Sequence, residues 1–337
     1  MIQEAIAKLV LRHDLSRAEA VGVMNEIADG GATPAQVGAF LAALRVKGET
    51  VDEIAGAAEV MRARAERVHV ARDVFVDTCG TGGDGQNTFN ISTGAAFVVA
   101  GAGVTVAKHG NRSVSSRCGS ADVLAALGVH VDAAREVVER CIAECGIGFL
   151  FAPKLHPAFK AVAGIRRELG IRTIFNLLGP LANPAGARYQ VMGVYEPRWV
   201  PILGGVLAAL GTRHAFVVHG EGLDEIAVTG MTHVSEVRDG SVDRFAMVPE
   251  DVGLRRWDRR EIAGGDATLN AAILGDVLSG QQGAPRDAVL VNAAAALVAA
   301  GAARDLADGV RVAARAVDEG AALDKLQRLR ALSNGEP

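Results

Sequence analysis

Residues 77–93, DTCGTGGDGQNTFNIST, set Gly80, Gly82, Gly83 and Gly85 around one acid, Asp84, with no Lys or Arg among them. Backbone so free of side chains leaves N–H groups open to an anion that carries several oxygens. A helix starting near Ser92 and Thr93 would add its positive N-terminal end. The spacing matches neither the nucleotide P-loop nor the dinucleotide GxGxxG pattern. An acid beside phosphate makes sense if a metal bridges the two, or if the acid binds a sugar hydroxyl. A second acidic pair, Asp224–Glu225 in GEGLDEIAV, would by itself be surface decoration. Together with the glycine stretch it suits one Mg²⁺–phosphate ligand, because magnesium takes one or two carboxylates plus substrate phosphates.

Positive charge enters at AKHGNRSVSSRCGSADVLAALG, residues 107–128. Lys108, Arg112 and Arg117 supply it, while Asn111, Ser115, Ser116 and Ser120 supply hydrogen bonds. These residues lie between an apolar strand and a helix over 120–127, which marks a binding loop rather than a solvated face. His109 suits either a base or a neutral orienting hydrogen bond. A further helix over 157–169 brings Phe159, Val162 and Arg166 near one face. An Arg on the core side of a helix needs an anionic partner, and a planar carboxylate fits its fork. Arg167 points elsewhere, into solvent. These residues together describe a magnesium-assisted enzyme for a phosphate-bearing ligand, with a separate site for a carboxylate or planar substrate. They do not identify that second substrate.

The elements that must position these groups are legible from pattern. Half of the 337 residues are apolar, 22% are charged, and aromatics are only 4%, a ratio that predicts a closely packed, helix-rich α/β protein. The first 68 residues read as four short helices. Ser16 with Glu19, Thr33 with Gln36 and Thr50 with Glu53 each have capping-box spacing, and Pro34 stands at a first helical position. Val37, Leu41 and Leu44 share one helix face, as do Ile54, Ala58 and Met61. From about residue 70 strands alternate with helices: 74–77, 104–107, 148–151, 189–195 and 214–220 predict a central, mostly parallel sheet. The segment 234–245, with an Asp-Gly turn, reads as an excursion hairpin. Residues 286–330 return to helix. Polar, glycine-rich stretches recur after strands, at 79–93, 108–120 and 220–225, the edge where open α/β sheets bind ligands.

The net charge of −4 and the lack of a basic tail argue against nucleic acid as a partner. The N-terminal segment lacks signal-peptide character, and no apolar run reaches spanning length, so a cytoplasmic protein without membrane contact is expected. Cys79, Cys118, Cys141 and Cys145 read as buried, reduced thiols rather than a zinc site.

These motifs resemble those of the anthranilate phosphoribosyltransferases over nearly the full length. GTGGDGxxTFNIST (80–93), KHGNRSVSS (108–116), GSADVLxALG (119–128), FAPxxHPAxK (151–160), RTIFNLLGPLxNP (172–184), GLDE (222–225) and NAAAAL (292–297) follow in family order. The resemblance implies a helical domain of residues 1–68, rejoined by helices from about 171–188, hinged to an α/β domain of residues 69–337, usually as a homodimer joined through the helical domains. It implies that Gly80, Gly82, Gly83, Asp84, Thr88, Asn90, Ser92, Thr93, Lys108 and Ser120 meet phosphoribosyl diphosphate. Ser92, Asp224 and Glu225 would be the metal positions, with two Mg²⁺ ions when substrate is bound. Gly80, His109, Asn111, His156, Arg166 and Gly179 would meet anthranilate, Arg166 taking its carboxylate. Lys108, Asp224 and Glu225 would carry the catalytic burden by electrostatics, without a covalent nucleophile. Phe159, often Met in the family, and Cys118, often small or polar there, remove none of these groups. A pyrimidine nucleoside phosphorylase of similar architecture would need no acidic metal pair. A non-catalytic nucleic-acid-binding relative would show a broad basic surface and eroded acids.

Overall fold

The computed structural model describes residues 1–113 and 117–335, so Ser115 and Ser116 lie outside the described residues. Four helices open the chain: α1 (Ile2–Val10), α2 (Arg17–Ala28), α3 (Pro34–Lys47) and α4 (Val51–Ala63). Ser16, Thr33 and Thr50 start α2, α3 and α4, each with both reciprocal capping-box bonds formed. The helical faces read from sequence are inside, with Val37, Leu41, Leu44, Ile54, Ala58 and Met61 all buried.

The remainder alternates strand and helix: β1 (Phe75–Gly80), α5 (Ile91–Gly101), β2 (Thr105–Gly110), α6 (Ser120–Ala126), α7 (Arg135–Cys145), β3 (Ile147–Phe151) and a short turn α8 (Ala152–Leu155). There follow α9 (Val162–Leu169), α10 (Phe175–Leu181), β4 (Tyr189–Gly193), α11 (Trp199–Ala209), β5 (His214–Gly220), β6 (Thr232–Arg238) and β7 (Ser241–Met247). Four helices close the chain: α12 (Ala267–Leu278), α13 (Ala284–Ala299), α14 (Leu306–Asp318) and α15 (Ala321–Ser333). The strands form one sheet in the order β3-β2-β1-β4-β5-β6-β7. β1 to β5 are parallel, and β6 and β7 are antiparallel.

Alternation along the strands splits the core in two. Val191, Phe216 and Val218 face α5 and α13, whereas Met192, Val217 and Val237 face α11 and the opening helices. Phe175, Leu178 and Leu181 of α10 and Val162 of α9 join that second cluster, so this later chain packs with the first four helices.

Local pattern misplaces several boundaries. β1 and β2 run three residues further than their apolar stretches, so Gly80, Lys108, His109 and Gly110 are strand residues, not loop. Parallel pairing holds them, Gly80 against Gly193 and Lys108 against Phe149. The helix read over 157–169 is broken into a 3-10 turn at Pro157–Phe159 and α9. Of the helices expected over 171–188, only α10 forms. The hairpin is no excursion: β6 pairs along the whole of β5, from Gly220↔Thr232 to His214↔Arg238, and extends the sheet. Its Asp239–Gly240 turn has φ of 46° and 89°, as a two-residue hairpin turn demands.

Candidate active site

Four neighbouring strands, β1, β2, β4 and β5, end in glycine: Gly80, Gly110, Gly193 and Gly220. Close approach explains at least two of them. The backbone of Asp224 crosses the strand ends so tightly that a Cβ on Gly193 would overlap its carbonyl, and one on Gly80 would overlap its carboxylate. The 220–225 loop thereby lays its acids against the glycine stretch after β1. It sits at the point where strand order reverses, the crevice such sheets use for ligands. A cavity of about 340 Å³ opens there, reaching from Gly80–Asp84 and Thr88–Asn90 past Lys108–Asn111 to Arg166, Phe175 and Gly179.

One end of the cavity is acidic. The Asp224 carboxylate accepts the Gly82 N–H (2.8 Å), and Glu225 accepts the Ser92 N–H at the start of α5 (3.1 Å). Burial, then the neighbouring Asp84 charge, pushes the Asp224 pKa up to about 7. Glu225 is raised well above the ordinary range by burial and by Asp224. The nearest counterweight is Lys108, only 3% exposed, whose ammonium donates to the Thr78 carbonyl and reaches Ser92 Oγ at 3.5 Å. Burial pulls its pKa down. Two buried acids whose proton affinity is raised for want of positive charge form a site that a divalent cation fits, although no cluster of three His, Cys, Asp or Glu stands ready among the described residues.

The anion cradle is narrower than the glycine count suggests. The N–H groups of Thr81, Gly82 and Gln86 already donate to Gly193, Asp224 and Asp84, which leaves those of Gly83, Asp84 and Gly85 for a ligand. Asp84 reaches the Asp224 N–H at 3.5 Å. Arg112 is spent on Asp122 (2.9 Å), whose carboxylate also collects the Ser113 and Gly119 N–H groups and closes the loop after β2. The Ser120 hydroxyl ties the two ends of that loop through the Asn111 backbone.

The opposite end holds Arg166, with its guanidinium 5.6 Å from the Phe175 ring centre and no carboxylate within ion-pair distance among the described residues. Burial alone lowers its pKa, whereas Arg167 is exposed. His109 binds the Gly179 carbonyl through Nδ1 (3.1 Å), and burial depresses its pKa to about 3. Its ring is therefore neutral and a weak proton acceptor, which favours the orienting hydrogen bond over the base among the two readings from sequence. His156 packs on it at 5.2 Å between ring centres, also neutral, its pKa lowered to about 4 by burial.

The residues that the resemblance assigns all line this cavity except two; Gly85 does not line it, and Ser115 and Ser116 lie outside the described residues. Thr93, next to the lining residue Ser92, is buried away from the cavity, and His156 stands behind His109 rather than on the surface of the cleft. Several residues escaped the reading. Arg172 donates to the Gly83 carbonyl and lies 4.0 Å from the Tyr195 ring centre, bracing the glycine stretch. Buried Asp77 accepts the His109 N–H and the Asn183 amide. Asn292 exchanges bonds with both backbone groups of Ile226 beside Glu225. Gly265 and Asn176 line the cleft. The glycine that ends each of these four strands was the signal that could have located the acid crossing.

An α/β sheet with acids and glycines at its switch point, attached to a helical bundle, defines a glycosyl-transferring enzyme. The glycosyl transferase family matches in both its parts, the helical bundle domain over residues 3–65 and the a/b domain over 72–323. An anthranilate phosphoribosyltransferase of Anaeromyxobacter sp. (strain Fw109-5) is 79% identical over 335 residues, 99% of either chain. The crystal structure of that enzyme from Thermus thermophilus superposes with a TM-score of 0.93 at 44% identity, covering 98% of this chain and 99% of that one. The Saccharomyces cerevisiae enzyme in complex with PRPP and Mg gives 0.88 at 29% identity, covering 99% and 98%. It has also been solved in complex with 4-fluoroanthranilate. The chain belongs to the anthranilate phosphoribosyltransferase family.

Proposed function

We propose that this chain carries out its family's reaction by electrostatic stabilisation of a leaving polyanion. It transfers the 5-phosphoribosyl group from 5-phosphoribosyl 1-diphosphate to the amine of anthranilate, releasing diphosphate, in tryptophan biosynthesis. The nitrogen lone pair forms the new bond at C1 of the ribose. The C1–O bond breaks with its electrons going to diphosphate, and the nitrogen then sheds a proton. An aromatic amine is already neutral at pH 7, so no strong base is required, which agrees with the low proton affinity of His109.

The demanding part is the charge on the leaving group. Lys108 and the N–H groups of Gly83 and Asp84 would face that charge from the cavity wall, where fixed donors count for most. Gly80, Gly82, Thr88, Asn90, Ser92 and Ser120 complete the phosphoribosyl diphosphate side, with Thr93 buried behind Ser92. Ser92, Asp224 and Glu225 would hold magnesium, two ions when substrate is bound, and the ions would neutralise the diphosphate. At the other end Arg166 takes the anthranilate carboxylate, with Gly80, His109, Asn111 and Gly179 around the ring and His156 packed behind His109. Closure of residues 1–68 and 171–188 on the α/β body would align the two substrates and exclude water.

The observation that carries this reading is the crossing of Asp224–Glu225 over Gly80 and Gly193, opposite an Arg166 without an acid of its own. A homodimer through the helical domains is supported by the exposed apolar side chains Val10, Leu11 and Val46, at 67%, 67% and 69%, near the C-terminal ends of α1 and α3. Among the described residues no helix is long and apolar enough to cross a membrane, and the cytoplasm is the compartment in which we place the enzyme. The test is direct. Purified protein with Mg²⁺, phosphoribosyl diphosphate and anthranilate should consume anthranilate fluorescence, and omitting any component should stop it. Turnover that persists without the metal or the diphosphate would overturn the reading, as would phosphorolysis of uridine or thymidine in place of transfer.

A further inference from the structure

Asn90 holds the N-cap position of α5, yet its side chain makes no cap bond, because Glu225 takes the Ser92 N–H instead. Its amide is used elsewhere. Asn90 Oδ1 accepts from Nδ2 of Asn270 (2.9 Å), and Asn90 Nδ2 donates to the Cys118 carbonyl (3.2 Å). Asn270, one turn into α12 and 1% exposed, accepts the Gly265 N–H at Oδ1 (2.8 Å). This relay has fixed polarity. It starts at a backbone donor and ends at a backbone acceptor, so neither amide can turn over without setting two like atoms face to face. The backbone zips the same segments together: Gly264 N–H donates to the Asn87 carbonyl, and Thr88 bridges Ala263. A Cβ on Gly264 would collide with the Phe89 backbone.

We infer that Asn270 is a positioning residue: it locks the orientation of the Asn90 amide, and with it the downstream half of the glycine stretch, for the phosphoribosyl diphosphate. It touches no substrate and acts through Asn90, whose remaining amide valences face the cleft. None of the motifs that carry the family resemblance includes it, and its partner is 180 residues away. The inference rests on the transferase reading above, and wild-type turnover is the check on that reading by itself.

The test pairs Asn270→Asp with Asn270→Ser. Asp keeps the shape and the bond to Gly265 but sets an acceptor against Asn90 Oδ1. Ser removes both bonds without adding charge, and so separates misorientation from simple repulsion of diphosphate. Both variants should raise the KM for phosphoribosyl diphosphate about tenfold, and weaken its direct binding by titration equally, while the KM for anthranilate stays within about twofold. Introducing Asn270→Ser into an Asn90→Ala background should add nothing further, because the group it positions is gone. If the variants only lower the melting temperature, raise both KM values alike, or add fully to Asn90→Ala, Asn270 is a structural brace and the inference fails. Absence of transferase activity in the wild type would instead overturn the reading beneath it.

Discussion

The two ends of the cleft are built on opposite electrostatic plans. At the acidic end Asp84 and Asp224 adjoin one another, Glu225 alone of the three feels the buried Lys108, and burial with mutual repulsion raises the proton affinity of Asp224 and Glu225. At the opposite end Arg166 has no acid within ion-pair distance among the described residues, and burial holds His109 and His156 neutral. Neither end is balanced within the chain. The first lacks positive charge and the second lacks negative charge, so each is completed by what binds there. Fold stability is spent on keeping these charges unpaired, as active sites commonly require. On the function proposed above, the difference would suit a polyanion accompanied by metal at one wall and a single carboxylate at the other.

The largest effect should come from erasing the acidic wall. Asp224→Ala with Glu225→Ala should cost about 3 kcal/mol or more of transition-state stabilisation, on the order of a hundredfold in turnover. An unchanged rate at limiting Mg²⁺ would remove the acids from the mechanism. A smaller loss is expected from Gly80→Ala, whose methyl group would meet the Asp224 carboxylate. Overpacking at such a crossing costs on the order of 2 kcal/mol. It should appear as a raised requirement for phosphoribosyl diphosphate and metal, with anthranilate affected less. Kinetics in which anthranilate suffers most would place the crossing at the wrong end of the cleft.

How far the sequence revealed this contrast depends on the range of each interaction. Capping boxes such as Thr33–Gln36 lie within one turn and were fully legible. The glycine stretch, the acid pair and Arg166 were each visible as chemistry, and family motifs sorted them between the two substrates. The polarity of the strand ends misled, because Lys108 and His109 look like loop residues until the pairing with Phe149 and Leu150 is known. The buried amides were invisible for a stronger reason. Asn183 reaches Asp77 across 106 positions and Asn292 reaches Ile226 across 66, and nothing local in an asparagine distinguishes such a clasp from a turn.

Arg166→Ala tests the other wall. It removes one charge-assisted contact, about 1.5 kcal/mol, which is roughly a tenfold rise in the anthranilate KM. The KM for phosphoribosyl diphosphate should hardly move. The reverse pattern would exchange the two walls.

The smallest effect on turnover, and the sharpest test of the neutral histidines, is expected from His156→Gln. His156 is buried against His109, and its ring nitrogens lack a hydrogen bond of ordinary length among the described residues, with only weak attraction from the Ala182 carbonyl toward the charged ring. Its folded pKa of about 4 lies below the ordinary histidine value of 6.5. Above 6.5 the ring is neutral whether the chain is folded or not, and it contributes no pH dependence. Between 6.5 and about 4 the unfolded chain takes up a proton that the folded one refuses, so stability falls as pH falls, by up to about 1.4 kcal/mol per pH unit. Glutamine cannot titrate. The variant will carry a constant packing penalty, but its stability should decline less steeply than the wild type's over that window, as measured by denaturant unfolding at pH 7, 6 and 5. Turnover at pH 7.5 should change little, since the ring stands behind His109 and off the cleft surface. Parallel stability curves would show that His156 takes up its proton over the same pH range in the folded and the unfolded chain, so that burial does not hold the ring neutral between 6.5 and about 4.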